Sequence, residues 1–232
     1  MNAMQKLVAG GGAALFAGAI AQSTLIIFPK AAAESALESR HKVVVVGGGT
    51  GGVTVAAQLL KRANNDISVQ LIEPKSEHWY QPMWTMVGGH MGFSFADSKR
   101  PQKDVIPPGA CWLQTEVAAF LPEKNSIKLA NGQTITYDSL VVSMGLKNDY
   151  EKIPGLKEAL ADPKCPVGSI YAGDYAEKTK RVMGAVTKGD ALFTQPNCPI
   201  KCGGAPQKVM WLWESEWRKR GVREDVNVSY FA

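Results

Sequence analysis

The sequence predicts an α/β fold with a doubly wound parallel sheet, and three observations point to this class. The first is an apolar run of four valines, Val43–Val46, which is typical of a buried parallel strand. The second is a glycine-rich turn that leads into a helix over 53–63, whose apolar residues recur on one face. The third is another apolar run, over 67–72. Strands that alternate with helices in this order predict a parallel sheet with crossover connections.

The turn between the first strand and the helix carries a G-x-G-x-x-G pattern. Gly47, Gly49 and Gly52 occupy its three glycine positions. In this pattern the glycines permit a tight turn, a close approach of the backbone to a pyrophosphate and close packing of helix on strand. Glu73 ends the second strand about 20 residues later, where a carboxylate can accept the ribose hydroxyls. Together these features predict a Rossmann-like domain that binds a dinucleotide.

Three short strands are predicted next, over 112–120, 126–129 and 133–137. Asn131-Gly132 lies between the last two and is a strong signal for a hairpin turn. The apolar run over 140–145 then resumes the parallel sheet. We therefore expect a small antiparallel β meander inserted into the Rossmann-like fold.

The last part of the chain predicts the start of a second Rossmann-like domain. Strands over 190–194 and 226–231 flank a helix that begins near Pro206 and stops at Gly221. The apolar residues of this helix share one face at helical spacing. They are Val209, Met210, Trp213 and Trp217.

A thiol precedes this helix. Cys202 would lie at the helix start, where free N–H groups and the positive end of the dipole favour a thiolate, with Lys201 and Lys208 adding positive charge. On the local residues alone, a small buried cysteine in a Gly-Pro turn is an equal alternative. Cys111 and Cys165 are interpreted as structural thiols. No metal-ligand spacing joins the cysteines to the three histidines, so no metal site is expected.

Residues 1–40 are expected to be a leader or membrane anchor, followed by the dinucleotide-binding domain over 41–185 and an incomplete second domain over 186–232. The stretch 7–28 carries no charge, and three interpretations stay open: a cleaved secretory-type signal, an uncleaved anchor or a hydrophobic organellar presequence. The formal charge is +5, with basic residues interspersed among acids. This pattern indicates a mixed solvated surface, and no nucleic-acid partner is expected.

Several segments resemble the FAD domain of the two-dinucleotide-binding flavoprotein disulfide reductases. They are the glycine loop, Ile72-Glu73-Pro74, residues 137–145 and Ile153-Pro154-Gly155. Within that superfamily, the segments that resemble the mitochondrial type of sulfide:quinone oxidoreductase are 78–85, 149–153 and 201–208. The stretch Cys-Gly-Gly-Ala-Pro-Gln-Lys at 202–208 is the most diagnostic, and the resemblance covers essentially everything from residue 41 onward.

This resemblance implies a cofactor site for FAD. The pyrophosphate would lie on the glycine loop and the adenosine ribose on Glu73, while Gln81 and the backbone near Val117 would complete the pocket. The residues expected to contact the cofactor are Gly47, Gly49, Thr50, Gly51, Gly52, Glu73, Gln81, Val117 and Gly145.

The resemblance also implies a reaction in which Cys202 is one of two redox cysteines that are bridged at rest. Hydrogen sulfide attacks the bridge and leaves a persulfide and a thiolate, and the electrons reach ubiquinone through FAD. The sulfane sulfur passes to a small acceptor such as glutathione, sulfite or cyanide. Lys208 would stabilise the anionic species, or would simply be a solvated lysine in the first helical turn. The family implies membrane association and the mitochondrial inner membrane.

The sequence departs from this family in length. The partner cysteine, a glycine–aspartate segment, the quinone pocket and the C-terminal membrane-facing helices are not found before Ala232, so we expect a fragment or a truncated product. A local bridge between Cys198 and Cys202 is disfavoured by strain across Pro199. Two alternatives are a type II NADH:quinone dehydrogenase, whose second G-x-G-x-x-G spacing is missing at 198–204, and a non-catalytic nucleotide-binding remnant.

Overall fold

The computed structural model describes residues 40–63, 66–196 and 200–232, so the predicted leader (except Arg40) and Cys198 lie outside the described residues. The strands are β1 (His41–Val46), β2 (Ile67–Ile72), β3 (Glu77–Trp79), β4 (Lys99–Pro101), β5 (Ala110–Leu113), β6 (Val117–Leu121), β7 (Ser126–Leu129), β8 (Thr134–Thr136), β9 (Ser139–Val142), β10 (Gly189–Thr194) and β11 (Val226–Phe231). The α-helices are α1 (Thr50–Arg62), α2 (Met83–Gly88), α3 (Leu156–Ala161), α4 (Gly173–Gly184) and α5 (Ala205–Lys219). Within the described part of the chain, no helix is both long enough and apolar enough to cross a membrane.

A four-stranded parallel sheet in the order β5-β2-β1-β9 forms the main sheet of the fold. The inner strand β1 contains the predicted run of four valines, and each valine is at most 5% exposed. Val43 and Val45 pack with Ala56 of α1 on one face, whereas Val44 and Val46 lie on the other face. Because both faces are covered, every side chain of the run is apolar, and the prediction of a buried parallel strand is confirmed.

The second face of this sheet is covered by a three-stranded antiparallel sheet, β6-β7-β8. Ile127, Leu129 and Ile135 of the small sheet pack against the valines of β1 and against Ile72. The turn between β7 and β8 is closed by the Leu129 N–H, which donates to the Gln133 carbonyl at 2.8 Å. The predicted meander and its hairpin are therefore confirmed.

The predicted strand over 112–120 is wrong in its boundaries. Its first part belongs to β5, which pairs with β2 at the edge of the parallel sheet, and its second part belongs to β6 in the antiparallel sheet. Between them the Thr115 N–H donates to the Leu113 carbonyl at 2.9 Å, so the chain turns there. Both halves are apolar, and an apolar run alone does not reveal which sheet each half joins.

The last three elements, β10, α5 and β11, form the predicted strand–helix–strand unit. The two strands pair in parallel, and α5 covers one face of the pair. The helix begins one residue before Pro206. Trp213 and Trp217 are at most 1% exposed, and the Trp213 indole N–H donates to the Gly88 carbonyl at 2.6 Å, which ties α5 to α2. The described residues belong to one compact unit, and the domain boundary after residue 185 stays a prediction.

Two helices that the sequence analysis did not predict, α2 and α4, pack against each other. Val87 and Ala176 are fully buried at their contact. Lys178 of α4 is 8% exposed, and its amine donates to three carbonyl oxygens at the end of α3, at 2.6, 3.1 and 2.6 Å. These carbonyls have no partner further along α3, so Lys178 caps that helix. The helix α4 is polar in overall composition, and its buried face includes Lys178 and Thr179.

Candidate functional site

A cleft of about 1120 Å³ holds both sequence features that predicted function. The glycine loop (residues 47–52) follows β1, and residues 143–145 follow β9, so the carboxyl ends of two neighbouring strands open into the cleft. In open parallel sheets this edge is where ligands bind. The thiol loop (residues 200–204), which contains Cys202, lines the same cleft. Other residues that line it are Glu73, His78, Gln81, Trp84, Gln102, Tyr171, Lys208 and Trp211.

The glycine loop has the geometry that its pattern predicts. Gly47 has φ +105°, a left-handed conformation that favours glycine. At Gly52 a Cβ atom would lie 1.8 Å from the Gly47 carbonyl oxygen, so the first turn of α1 packs directly on the loop. These two glycines therefore serve the turn and the helix–strand contact.

The middle glycine of the pattern, Gly49, serves a different purpose. A Cβ atom there would meet no protein atom within 4 Å, so the missing side chain leaves open space in the cleft. Gly49 precedes the first turn of α1, which carries no acidic residue, and Thr50 and Gly51 of that turn line the cleft. Free backbone N–H groups at a helix start bind phosphate. The loop thus fits the pyrophosphate of a dinucleotide.

Three side chains hold the peptide groups of Gly48. The Gly48 N–H donates to Glu73 Oε2 at 2.8 Å, and its carbonyl accepts from Gln102 Nε2 at 2.9 Å. His78 Nδ1 lies 3.1 Å from the same carbonyl oxygen, which requires the proton on Nδ1. His78 and Gln102 are buried. Glu73 also accepts from the Lys75 N–H at 2.9 Å, and the remaining lone pairs of the carboxylate can accept ribose hydroxyls.

Ser143 is a further residue that the sequence reasoning missed. Its hydroxyl lies 3.1 Å from the Val46 carbonyl oxygen and 3.2 Å from that of Gly47, so it ties the end of β9 to the start of the glycine loop. Ser143 and Gln102 lie far from the loop in sequence. Gln102 belongs to no motif, and the segment 137–145, which resembles the FAD domain and contains Ser143, assigns this serine no role. Gly145, a predicted contact residue, follows two positions later with φ +74° and lines the cleft.

The thiol loop is attached to the start of α5. The Cys202 carbonyl accepts from the Ala205 N–H at 3.1 Å and from the Tyr171 hydroxyl at 2.9 Å, while the cysteine itself is exposed. Burial raises the pKa of Tyr171 to about 12, and the nearby Cys202 adds to the rise. Lys208 lies in the first turns of α5, with its amine beside Gly204. The alternative of a buried cysteine in a turn is therefore wrong, because Cys202 faces open space.

Lys201 belongs to the thiol loop, and its side chain reaches across the cleft to Gln81. Its amine donates to Gln81 Oε1 at 2.7 Å and to the Tyr171 carbonyl at 3.2 Å, and it lies 5.3 Å from the ring centre of Trp84. Burial lowers the pKa of this amine. The sequence predicted that Lys201 adds charge beside Cys202, but in the structure its hydrogen bonds go to Gln81 and Tyr171.

Three predicted cofactor residues are placed differently from the others. Gly52 packs against the Gly47 carbonyl and does not line the cleft. Gln81 contacts Lys201 of the thiol loop rather than the glycine loop. Val117 begins β6 and packs against the cluster of Val44 and Ile127, and it does not line the cleft. The cofactor contacts of these three residues stay predictions.

Comparison with known proteins identifies the family. The sequence pattern of the pyridine nucleotide-disulphide oxidoreductases matches residues 41–185, more than half of the chain. This chain belongs to that family. Its members are FAD-binding flavoproteins, and the Rossmann-like glycine loop described above fits that cofactor.

Within the family, the chain is similar to named enzymes. It is 43% identical over 181 residues to the mitochondrial sulfide:quinone oxidoreductase of Dictyostelium discoideum, and 42% identical over 181 residues to that of Mus musculus. Each alignment covers 78% of this chain and 39% of the relative, so the chain spans less than half the length of these curated relatives. The solved sulfide:quinone oxidoreductase of Aquifex aeolicus matches with a TM-score of 0.64 at 22% identity, over 82% of this chain and 42% of that one, and supports the fold.

Proposed function

We propose that this chain carries the FAD-binding loop and one redox thiol of a sulfide:quinone oxidoreductase of the mitochondrial type. The observation that carries the proposal is that the glycine loop and Cys202 line one cleft. A thiol beside a flavin site is the arrangement that disulfide chemistry coupled to a flavin requires. The similarity to two enzymes of that name, at 42 to 43% identity, supports the same conclusion.

Cys202 provides the sulfur chemistry. Hydrosulfide attacks one sulfur of a disulfide that includes Cys202, the S–S bond breaks, and a persulfide and a thiolate form. The second cysteine of that disulfide belongs to the part of the enzyme that this chain does not span. The helix start of α5 and the amine of Lys208 lie beside the thiol loop and stabilise the negative charge that develops on sulfur.

The cofactor would be held by Gly47, Gly49, Thr50 and Gly51 at its pyrophosphate, with Gly52 permitting the close packing of α1 on this loop, and by Glu73 at a ribose. When bound, FAD supplies a two-electron acceptor that ubiquinone reoxidises. The sulfane sulfur of the persulfide leaves to a small nucleophile such as glutathione, sulfite or cyanide. The protein acts in the mitochondrion, at the inner membrane, as the names of the relatives suggest for the organelle.

The first test uses the full 232-residue chain loaded with FAD under anaerobic conditions. Because a lone thiol cannot oxidise sulfide, this test reports the contact between thiol and flavin: we expect the Cys202 thiolate to add a long-wavelength charge-transfer absorbance to the flavin spectrum, and we expect Cys202→Ser to abolish it. Cys111→Ser is the matched control, because Cys111 is also exposed but lies on β5 away from the cleft. Bleaching of the flavin by NADH would instead favour a nicotinamide-dependent dehydrogenase and contradict the proposal.

A second test isolates the thiol step from the missing partner cysteine. Cys202 is converted to its mixed disulfide with glutathione, and sulfide is then added. Attack on the Cys202 sulfur releases glutathione and leaves one additional sulfur atom on Cys202, which mass spectrometry detects. A chain that binds no flavin, or a mixed disulfide that returns only the free thiol, would support a non-catalytic remnant.

A further inference from the structure

Lys201 has an unusual number of contacts for a lysine in a loop. Its amine donates to Gln81 Oε1 and to the Tyr171 carbonyl oxygen. The same amine lies over two aromatic rings, 5.3 Å from the ring centre of Trp84 and 6.0 Å from that of Tyr171. A charged amine that is partly removed from water is stabilised by such rings and by charge-assisted hydrogen bonds. The residue before Cys202 is therefore fixed to the wall of the cleft.

Tyr171 both accepts a hydrogen bond from the thiol loop and donates one to it. Its carbonyl accepts from Lys201, while its own hydroxyl donates to the Cys202 carbonyl at 2.9 Å. Two consecutive residues of the thiol loop thus contact the same tyrosine. The position of Tyr171 is set in turn by Asn148, whose amide donates to the Tyr171 carbonyl at 2.8 Å.

Gln81 is the residue with two competing assignments. The resemblance to known flavoproteins predicts a cofactor contact, whereas the structure directs its side-chain oxygen to Lys201. An amide oxygen that accepts a charge-assisted bond from Lys201 is oriented toward the thiol loop. The two assignments predict different consequences when the amide is removed.

We propose that Gln81 and Tyr171 are positioning residues that hold the thiol loop through Lys201 and Cys202, and that Gln81 acts there rather than as a ligand of the cofactor. This arrangement fixes the backbone on both sides of the Lys201–Cys202 bond. It thereby sets the direction of the Cys202 side chain relative to the start of α5.

The Lys201–Cys202 bond provides its own test, because trypsin cleaves after lysine. The protease binds the lysine side chain in its specificity pocket, so Lys201 must leave Gln81 and Trp84 before cleavage. When opening and closing are fast, the rate of cleavage reports the population of the open form. We expect Gln81→Ala to increase native-state cleavage after Lys201 by about tenfold and Tyr171→Phe by about fivefold, the loss of one hydrogen bond each.

Matched variants separate this effect from general instability. Gln81→Glu keeps an acceptor for Lys201 and should cleave no faster than the unmodified chain. Gln58→Ala, on the exposed side of α1, should leave the rate unchanged. Cleavage after Lys124, which lies outside the cleft, is the internal reference in every digest. An equal rise after Lys124 and Lys201 would show general unfolding and overturn the proposal, as would an unchanged rate in Gln81→Ala.

The second measurement is the affinity of each variant for FAD, followed by flavin fluorescence. We expect Gln81→Ala to change the Kd by less than about twofold, which is a small fraction of one hydrogen bond. A Kd that rises tenfold would make Gln81 a cofactor ligand and overturn the proposal. The functional meaning of the loop rests on the proposed redox role of Cys202, but the digest needs neither cofactor nor sulfide. The two proposals can therefore fail separately.

Discussion

Two substitutions in the glycine loop should separate folding from cofactor binding. In Gly52→Ala the new methyl group would lie 1.8 Å from the Gly47 carbonyl oxygen and 2.7 Å from the Ser143 hydroxyl. The backbone must then move by about 1.6 Å for the methyl group to reach an ordinary contact distance of 3.4 Å from the Gly47 carbonyl oxygen. Overpacking of this kind costs about 3 kcal/mol, which lowers Tm by roughly 6–12 °C in a chain of this size.

Gly49→Ala is the matched comparison. Its methyl group meets no protein atom within 4 Å, and its φ of −69° is ordinary for alanine, so we expect the free energy of unfolding to change by less than about 1 kcal/mol. The same methyl group occupies the space into which a pyrophosphate would fit. FAD affinity should therefore fall by at least about tenfold.

The assays are urea unfolding of the cofactor-free chain and fluorescence titration with FAD. The expected pattern is a destabilised Gly52→Ala chain and a stable Gly49→Ala chain that binds FAD poorly. If Gly52→Ala unfolds at the same urea concentration as the unmodified chain, the close contact with Gly47 is not present in solution. If Gly49→Ala binds FAD normally, the pyrophosphate does not approach the loop at this position.

Three further predictions concern other residues. Lys178→Met should lower the free energy of unfolding by about 2–4 kcal/mol, because the Ala159 and Leu160 carbonyls lose their donor and the Asp162 carbonyl keeps only the Cys165 N–H at 3.2 Å. Urea unfolding measures this, and an unchanged midpoint would contradict the capping role. Trp213→Phe should lower the free energy of unfolding by about 1–3 kcal/mol more than Trp217→Phe does. The Trp213 indole N–H loses its hydrogen bond to the Gly88 carbonyl, whereas the Trp217 indole N–H has no partner among the described residues. Equal losses in urea unfolding would refute this. Burial raises the pKa of Tyr171 from 10.0 to about 12. Its contribution to the free energy of unfolding is therefore complete below pH 10 and is lost as the pH rises to 12. The difference between the ultraviolet titrations of the unmodified chain and of Tyr171→Phe should show a phenol that ionises above about pH 11.

The parts of the fold that could be predicted from the sequence are those specified by neighbouring residues. The G-x-G-x-x-G pattern identifies the loop because each glycine meets a local requirement, such as the φ of +105° at Gly47. The buried strand β1 is recognisable because both of its faces are covered, which removes polar residues from the run. The hairpin at Asn131-Gly132 is likewise a local signal.

The parts that could not be predicted depend on contacts between distant segments. Gln102 and Ser143 contact the glycine loop across 54 and 96 residues of sequence. Gln102 belongs to no recognisable motif, and the family segment 137–145 that contains Ser143 does not indicate this contact. The division of the run 112–120 between two sheets depends on which strand each half meets. The contact between Gln81 and Lys201 spans 120 residues, so the sequence could not indicate which end of the cleft Gln81 serves.

The three side chains around Gly48 link the stability of the folded chain in the cell to the binding of its cofactor. They come from the end of β2, from β3 and from the turn after β4, so the loop exists in its binding shape only when these segments are assembled. A ligand that recognises this shape binds the folded chain alone, and at 100 times its Kd it adds about 2.7 kcal/mol to the free energy of unfolding. Flavin supply would then control the abundance of the protein, because chains without FAD unfold more often and reach the proteases that remove them.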